Sequence, residues 1–127
     1  FAELLPRADV IVLSCPLTDE TRNVVDAAAL AAMQPSSFLV NVARGGCVDE
    51  PALIEALQGG AIAGAGIDVT VEEPLASNSP LWNLENAIVT PHTGGETRKY
   101  EDNVLDILLD NLDRLFRGET ELHNQVV

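Results

Sequence analysis

The sequence predicts an α/β protein that contains part of a doubly wound parallel sheet and ends in a long helix. Three observations carry this prediction: four short apolar runs, helical patterns between the first three of them, and a final amphipathic stretch of about twenty residues. The apolar runs are nearly continuous rather than alternating, which is typical of strands covered on both faces. Strands and helices that alternate through short connections favour repeated right-handed βαβ units.

The predicted strands are the apolar runs at residues 8–14, 37–43, 64–69 and 87–90. Two helices are predicted between the first three strands. Asp26 can cap the first helix, which Pro35 ends, and Asp49 can cap the second, which ends at Gly59 and Gly60.

Two longer segments complete the chain. Residues 73–86 form a loop that is long enough to suggest a function. The long helix is predicted from Thr97 to Arg117, with Gly118 as its end, an apolar stripe on one side and an acidic, solvated face on the other. The stripe is expected to be core, with a dimer or interdomain contact as the alternative. Residues 1–96 would therefore hold the βαβ units and the functional loops.

The charge balance argues against some classes of partner. The chain has 20 acidic and 7 basic residues, a net charge of −13 and a single lysine, whereas nucleic acids and anionic membranes need clustered Lys and Arg. No apolar run is long enough to span a bilayer. Cys15 and Cys47 do not form a disulfide framework and are expected to be free thiols. The first residue, Phe1, is not Met, which suggests truncation.

Polar residues follow the last three strands, where ligands of open α/β sheets bind. Arg44 and two glycines follow the second strand, and an arginine there suits a carboxylate bound by two parallel hydrogen bonds. Asp68 stands at the end of the third strand and Glu73 follows it, and His92 follows the fourth strand. His92 is the natural proton donor, and an adjacent carboxylate would orient it and favour its protonated form. Each residue alone has a structural alternative, such as a surface ion pair for Arg44.

Four sets of motifs, in order along nearly the whole chain, resemble the signatures of the D-isomer-specific 2-hydroxyacid dehydrogenases. They are residues 15–21, residues 41–50, residues 64–69 with 72–75, and residues 79–82 with 90–95. The resemblance implies the second half of a Rossmann-like dinucleotide-binding domain, with residues 97–117 leading back toward a substrate domain. No G-x-G-x-x-G motif is present, so a pyrophosphate clamp is expected upstream of Phe1.

The resemblance implies hydride transfer between NAD or NADP and a D-2-hydroxy acid or 2-keto acid, as in glyoxylate/hydroxypyruvate reductase or phosphoglycerate dehydrogenase. Arg44 would hold the substrate carboxylate and C2 oxygen, His92 would give or take the proton, and Glu73 would pair with His92. Asp68 would accept a hydrogen bond from the nicotinamide carboxamide. The full cofactor-binding set it implies is Cys15, Val42, Ala43, Arg44, Asp68, His92, Gly94 and Gly95. A cytoplasmic homodimer without a metal is expected.

Two alternatives stay open. One is an NAD(H)-sensing binding protein of the corepressor type, which would bind cofactor without ordinary turnover. The other is an inactive fragment of the dehydrogenase, since this chain alone is not expected to catalyse the reaction. An activity assay of the full-length protein and its intact mass would separate these possibilities.

Overall fold

The computed structural model describes residues 1–125, which fall into two compact units that divide between Gly94 and Gly95. The first unit contains the strands β1 (Val10–Leu13), β2 (Phe38–Asn41), β3 (Gly64–Ile67) and β4 (Ala87–Val89), the helices α1 (Ala27–Ala32) and α2 (Glu50–Gln58), and short 3-10 helices at Leu5–Arg7, Gly45–Cys47 and Pro80–Asn83. The second unit contains the helix α3 (Tyr100–Phe116). None of the helices in residues 1–125 has the length and apolar character that crossing a bilayer requires.

The four strands form one sheet in the order β1-β2-β3-β4, and every neighbouring pair is parallel. This confirms the predicted α/β class with a parallel sheet. Leu13 pairs with Asn41, Asn41 with Ile67, and Ile67 with Val89. The strands therefore end together, and the loops that follow them leave from one edge of the sheet.

Both helices between the strands begin and end as the sequence predicts. The Asp26 carboxylate accepts a hydrogen bond from the Ala29 backbone N–H at 2.8 Å, and the Asp49 carboxylate accepts one from Ala52 at 3.1 Å. These bonds satisfy N–H groups that have no partner within the helix. After α2 the chain turns through Gly60, whose φ of +68° favours glycine.

The core lies on one face of the sheet. Leu39 in β2 packs there with Leu30 of α1 and Leu53 of α2, and all three are almost fully buried. Side chains on the other face, such as Val12 and Ile88, are 56 % and 71 % exposed. Coverage of both faces, which the continuous apolar runs predicted, is therefore not found within residues 1–125. The runs specify strands that are apolar on both sides, but α1 and α2 cover only one side.

The segment predicted as a loop at residues 73–86 contains ordered structure. Ser79 caps the 3-10 helix Pro80–Asn83 by accepting a hydrogen bond from the Leu81 N–H, and Leu81 is buried in the core. The Trp82 indole N–H donates to the Ala76 carbonyl oxygen at 2.9 Å. This short helix fixes the segment that follows Glu73.

In the second unit, α3 matches the predicted long helix and ends before Gly118, whose φ is +76°. No residue of α3 is buried, so the prediction that its apolar stripe is core is wrong. An amphipathic pattern identifies the apolar side of a helix but not what covers it. Two hydrogen bonds join α3 to the segment after Gly118. The Asn111 side-chain amide accepts from the His123 N–H at 2.8 Å and donates to the His123 carbonyl oxygen at 3.1 Å.

Candidate active site

Three loops at the carboxyl edge of the sheet form the candidate active site. The loop after β2 carries Arg44, the loop after β3 carries Glu73, and the loop after β4 carries His92. Because β2, β3 and β4 are parallel neighbours that end in register, residues far apart in the sequence meet at this edge.

A buried amide shapes the loop after β2. Asn41, the last residue of the strand, is 1 % exposed. Its side-chain oxygen accepts from the Ala43 N–H at 3.0 Å, and its side-chain nitrogen donates to the Arg44 carbonyl oxygen at 3.1 Å. Arg44 itself is exposed and donates one hydrogen bond, from Nη1 to the Ala43 carbonyl oxygen at 2.7 Å. A guanidinium held in this way is accessible to an anion from solution.

Gly45 allows the loops after β2 and β3 to touch. A Cβ atom at this position would lie 2.1 Å from both the carbonyl carbon and the carbonyl oxygen of Thr70. A side chain is therefore incompatible with the observed contact. The adjoining Val71 N–H donates to the Glu50 carboxylate at 3.2 Å, which ties the β3 loop to the start of α2. Arg44 is thus kept beside the segment that carries Glu73.

Glu73 and His92 form a hydrogen-bonded pair. One carboxylate oxygen of Glu73 lies 2.8 Å from Nδ1 of His92, and the other accepts from the Thr70 N–H at 3.1 Å. The pKa of Glu73 is lowered, first by the hydrogen bond with His92 and further by the Thr70 N–H and the charges of His92 and Arg44. An ionised carboxylate can only accept, so Nδ1 donates and Nε2 is the nitrogen that can exchange a proton. The two side chains are 46 % and 41 % exposed, which leaves the pair accessible.

Asp68 anchors the segment on both sides of His92. Its carboxylate accepts from the Thr90 hydroxyl at 2.5 Å, the Thr93 N–H at 3.0 Å and the Gly94 N–H at 2.8 Å. The hydrogen bonds from Thr90 and Gly94 are the main reasons why the pKa of Asp68 is lowered. Asp68 is only 8 % exposed, whereas His92 is exposed and has a φ of +57°. The anchored loop therefore holds His92 in a backbone conformation that non-glycine residues seldom adopt.

Two cavities open beside these groups. The larger, about 530 Å³, adjoins the Glu73–His92 pair, and its apolar wall includes Leu75 and Trp82. The smaller, about 410 Å³, lies along the ends of β1 and β2 and is lined by Ser14, Cys15, Pro16, Leu17, Val42, Ala43 and Arg44. This edge of the sheet therefore combines an exposed guanidinium, a hydrogen-bonded imidazole and open space beside them.

The predicted site residues are distributed as follows. Arg44, Asp68, Glu73, His92 and Gly94 lie on the loops after β2, β3 and β4, while Cys15, Val42 and Ala43 line the smaller cavity. Gly95 is the first residue of the second unit and stays a prediction. Within residues 1–125 no group of three or more His, Cys, Asp or Glu side chains could hold a metal ion.

Sequence reasoning missed the residues that support these loops. Asn41 and Thr90 each lie at or just after the end of a strand, one or two residues before a predicted site residue, and this position was the signal that could have identified them. The role of Thr70 could not be predicted from its side chain, because it donates to the Glu73 carboxylate through its backbone N–H. Trp82 was recognised only as part of a motif and not as a wall of the larger cavity.

Comparison with known proteins identifies related enzymes. The chain is 42 % identical over 118 residues to glyoxylate/hydroxypyruvate reductase B of Pectobacterium carotovorum, covering 93 % of this chain and 37 % of the relative. It is 44 % identical over 113 residues to (S)-sulfolactate dehydrogenase of Chromohalobacter salexigens, covering 89 % and 37 %. The chain thus spans little more than a third of the length of these relatives.

A solved structure shows the same fold. It is a D-isomer specific 2-hydroxyacid dehydrogenase from Xanthobacter autotrophicus in complex with NADPH and MES, with a TM-score of 0.87 and 39 % identity over 99 % of this chain and 51 % of that one. Residues 1–94 match the family model described as the NAD binding domain of D-isomer specific 2-hydroxyacid dehydrogenases. This chain belongs to the D-isomer specific 2-hydroxyacid dehydrogenase family.

Proposed function

We propose that the protein is an NAD(P)-dependent oxidoreductase that interconverts a D-2-hydroxy acid and its 2-oxo acid. The observation that carries the proposal is the Glu73–His92 pair, joined at 2.8 Å, on the edge of the sheet that also presents Arg44. The similarity to a glyoxylate/hydroxypyruvate reductase makes glyoxylate and hydroxypyruvate the first substrates to test. 3-Phosphohydroxypyruvate is the third.

Arg44 is the proposed anchor for the substrate carboxylate and C2 oxygen. Its guanidinium has parallel N–H donors in a fixed geometry that matches a carboxylate, which a lysine ammonium group lacks. The backbone on either side of Arg44 is held by Asn41 and by the close contact at Gly45. The arginine therefore works from a fixed position, which reduces the entropy lost when the substrate binds.

His92 is the proposed acid and base. Since Nδ1 donates to Glu73, Nε2 can give a proton to the C2 oxygen during reduction and take it back during oxidation. The Glu73 carboxylate, 2.8 Å from Nδ1, orients the ring. The larger cavity beside the pair would hold the remainder of the acid against Leu75 and Trp82.

The residues at the ends of β1 and β2 fit the nicotinamide end of a dinucleotide. Val42 is 46 % exposed and lines the smaller cavity with Cys15 and Ala43, so an apolar surface faces the space beside Arg44. Asp68 has one oxygen, Oδ2, that accepts a single hydrogen bond from the chain and has capacity for an amide donor. The cofactor, when bound, supplies or accepts the hydride at the substrate C2.

The wider assembly is part of the same proposal. Residues 1–96 would form the second half of a dinucleotide-binding domain, and residues 97–117 would lead back toward a substrate domain. The exposed apolar stripe of α3 is available for a contact within or between subunits, and a cytoplasmic homodimer is proposed.

A direct assay tests the reaction. The full-length protein is mixed with NADH or NADPH and each of the three oxo acids, and cofactor oxidation is followed by absorbance. Measurable turnover is expected, and His92→Gln should lower kcat by roughly 10²- to 10⁴-fold. The matched control is His123→Gln, which changes the second histidine of the chain and should keep the activity. Full activity in His92→Gln would contradict the assignment. Tight cofactor binding without turnover of any oxo acid would favour the sensor alternative.

A further inference from the structure

Thr70, in the loop after β3, is buried and makes contacts through three of its groups. Its N–H donates to one carboxylate oxygen of Glu73 at 3.1 Å, and its hydroxyl donates to the Glu72 carbonyl oxygen at 2.7 Å. Its carbonyl group packs against Gly45. The hydroxyl is the one of these three groups that belongs to the side chain, so a substitution can remove it and leave the other two in place.

The backbone on both sides of Thr70 is held by other contacts. The Asp68 N–H donates to the Asn41 carbonyl oxygen at 3.0 Å, and the Val71 N–H donates to the Glu50 carboxylate at 3.2 Å. These bonds tie the loop to β2 on one side of Thr70 and to the start of α2 on the other. The position of Thr70 therefore does not depend on its own hydroxyl, and the effect of the hydroxyl lies further along the chain.

That effect falls on the exposed segment that carries Glu73. In residues 1–125, the backbone of Glu72 and Glu73 has one hydrogen-bond partner, which is the Thr70 hydroxyl. The Glu72 carbonyl oxygen belongs to the peptide group that joins Glu72 to Glu73. Because a peptide group is planar, the direction of this oxygen sets the position from which the Glu73 side chain starts.

The Glu73 side chain has little packing to fix it. It is 41 % exposed, and its two oxygens are bonded to the Thr70 N–H and, at 2.8 Å, to Nδ1 of His92. Thr70 thus holds Glu73 at two points, at the backbone through the hydroxyl and at the carboxylate through the N–H. Loss of the first contact would widen the range of positions from which the carboxylate reaches His92.

We propose that Thr70 is a positioning residue for the acid–base pair, and that its hydroxyl keeps the Glu73 carboxylate directed at Nδ1 of His92. Thr70 acts through Glu73 and does not itself exchange a proton. The kinetic part of this inference rests on the proposed function, because it needs His92 to act as acid and base. The structural part, the direction of the carboxylate, does not.

Steady-state kinetics of the full-length protein test the kinetic part. Thr70→Val removes the hydroxyl and keeps a branched side chain, and it should lower kcat for reduction by roughly three- to tenfold, the range expected for one lost hydrogen bond. Thr70→Ser keeps the hydroxyl and should stay within a factor of about two of the wild type. Equal losses in both variants would show that the hydroxyl is not the group that matters.

The KM separates positioning from substrate contact. Thr70 also borders the larger cavity, so a direct role in binding would raise the KM of Thr70→Val. A residue that acts on the proton transfer should lower kcat and leave the KM within a factor of about two. A raised KM with wild-type kcat would overturn the proposal.

A double variant asks whether Thr70 acts through Glu73. When Glu73→Gln is already present, adding Thr70→Val should lower kcat by less than about twofold, because residues that act as a unit are not additive. A further loss as large as that in the wild-type background would mean that Thr70 acts independently of Glu73, which contradicts the proposal.

The ring nitrogens of His92 report the direction of the carboxylate without any turnover. A carboxylate that accepts from Nδ1 keeps the proton of a neutral imidazole on that nitrogen. In ¹⁵N-labelled full-length protein at about pH 9, where histidine is ordinarily neutral, NMR should show His92 with its proton on Nδ1. Comparison with His92→Gln identifies the signals. Thr70→Val should shift the proton toward Nε2, and Thr70→Ser should not. An unchanged ring spectrum in Thr70→Val would refute the positioning role.

Ser37→Ala is the matched control. The buried Ser37 hydroxyl also donates to a backbone carbonyl oxygen, that of Ala8, at 2.7 Å, but it lies just before β2 at the opposite edge of the sheet. Its loss should lower the free energy of unfolding and leave both kcat and the His92 ring spectrum unchanged. A ring spectrum altered as in Thr70→Val would show that the effect is general destabilisation, and the proposal would fail.

The remaining outcomes are also decisive. If Thr70→Val does not fold, Thr70→Ala takes its place, and a loss of kcat in Thr70→Ser would still overturn the proposal without either variant. A full-length protein without reductase activity would refute the proposed function. The ring spectra of His92 would then still decide whether Thr70 positions Glu73.

Discussion

Two carboxylates five residues apart, Asp68 and Glu73, lie on the same loop but differ in their burial and in their hydrogen-bond partners. Asp68 is 8 % exposed and accepts from a threonine hydroxyl and two backbone N–H groups, all from residues around His92. The Glu73 side chain is 41 % exposed, and its partner is the His92 ring itself. The first carboxylate therefore holds the loop, and the second acts on the imidazole that the loop presents.

The same direction of pKa shift has different causes at the two sites. For Asp68 the main causes are hydrogen bonds from Thr90 and Gly94, whereas for Glu73 the main cause is the hydrogen bond with His92. A lowered pKa shows that the folded chain stabilises the charged form. It does not show whether that charge serves the fold or the reaction, and the partners decide this.

The largest expected effect is on catalysis in Glu73→Gln. The glutamine side chain keeps an oxygen for the Thr70 N–H but removes the charged acceptor that orients the His92 ring. We expect kcat for reduction to fall by about 10²-fold or more. The free energy of unfolding should change by less than about 0.5 kcal/mol, because the pair is well exposed. Steady-state kinetics across pH, with urea denaturation, measure both. An unchanged kcat would contradict the assignment of Glu73 as the residue that acts on the His92 ring.

Asp68→Asn should have its main effect on the free energy of unfolding, unlike Glu73→Gln, whose main effect is on kcat. The amide nitrogen cannot accept, so at least one donor around His92 loses its partner in a buried setting. We expect a loss of about 1–3 kcal/mol in the free energy of unfolding. Activity should fall as well, since His92 is less well placed. Urea denaturation gives the stability, and a wild-type value for this variant would show that Asp68 does not hold the loop.

The stability contributed by Asp68 should depend on pH with a defined sign. Its pKa is lower in the folded chain than in the unfolded chain, so ionised Asp68 stabilises the fold at any pH above the ordinary value of about 4. That contribution is lost as the pH falls through the lowered folded pKa. The stability difference between wild type and Asp68→Asn should therefore be constant from about pH 7 to about pH 5 and shrink below about pH 4. A difference that grows on acidification would contradict the assignment.

The smallest change in stability and in kcat is expected for Glu72, which lies between Asp68 and Glu73 in the sequence and serves as the matched control. Glu72 is exposed, and its carbonyl oxygen, not its carboxylate, accepts the Thr70 hydroxyl. Glu72→Gln should change the free energy of unfolding by less than about 0.5 kcal/mol and leave kcat within a factor of about two. Kinetics and denaturation under the same conditions measure this. A loss as large as that in Glu73→Gln would mean that net charge on the loop, rather than the pairing with His92, is what matters.

The sequence predicted most of the first unit because its signals are local. Helix caps such as Asp26 and Asp49 act within three residues, and short apolar runs flanked by polar turns indicate strands. The meeting of Arg44, Glu73 and His92 at one edge also followed from local order, because parallel strands bring every carboxyl end to the same side.

What the sequence did not predict depends on contacts between distant segments. The three donors that surround Asp68 are set by how loops pack and leave no periodic signal. The apolar stripe of α3 was predicted to be core, and its residues are not buried. Amphipathic spacing records that a side is apolar, but burial depends on a second surface.

The contact at Gly45 has a consequence for engineering the candidate site. Any larger residue there would force the loop that carries Arg44 away from the loop that carries Glu73, since a Cβ atom would overlap the Thr70 carbonyl group. Leu75 and Trp82 line the larger cavity, whereas Gly45 does not. A mutant library aimed at reshaping the larger cavity should therefore vary Leu75 and Trp82 and keep Gly45. The contact between the loops after β2 and β3 depends on that glycine.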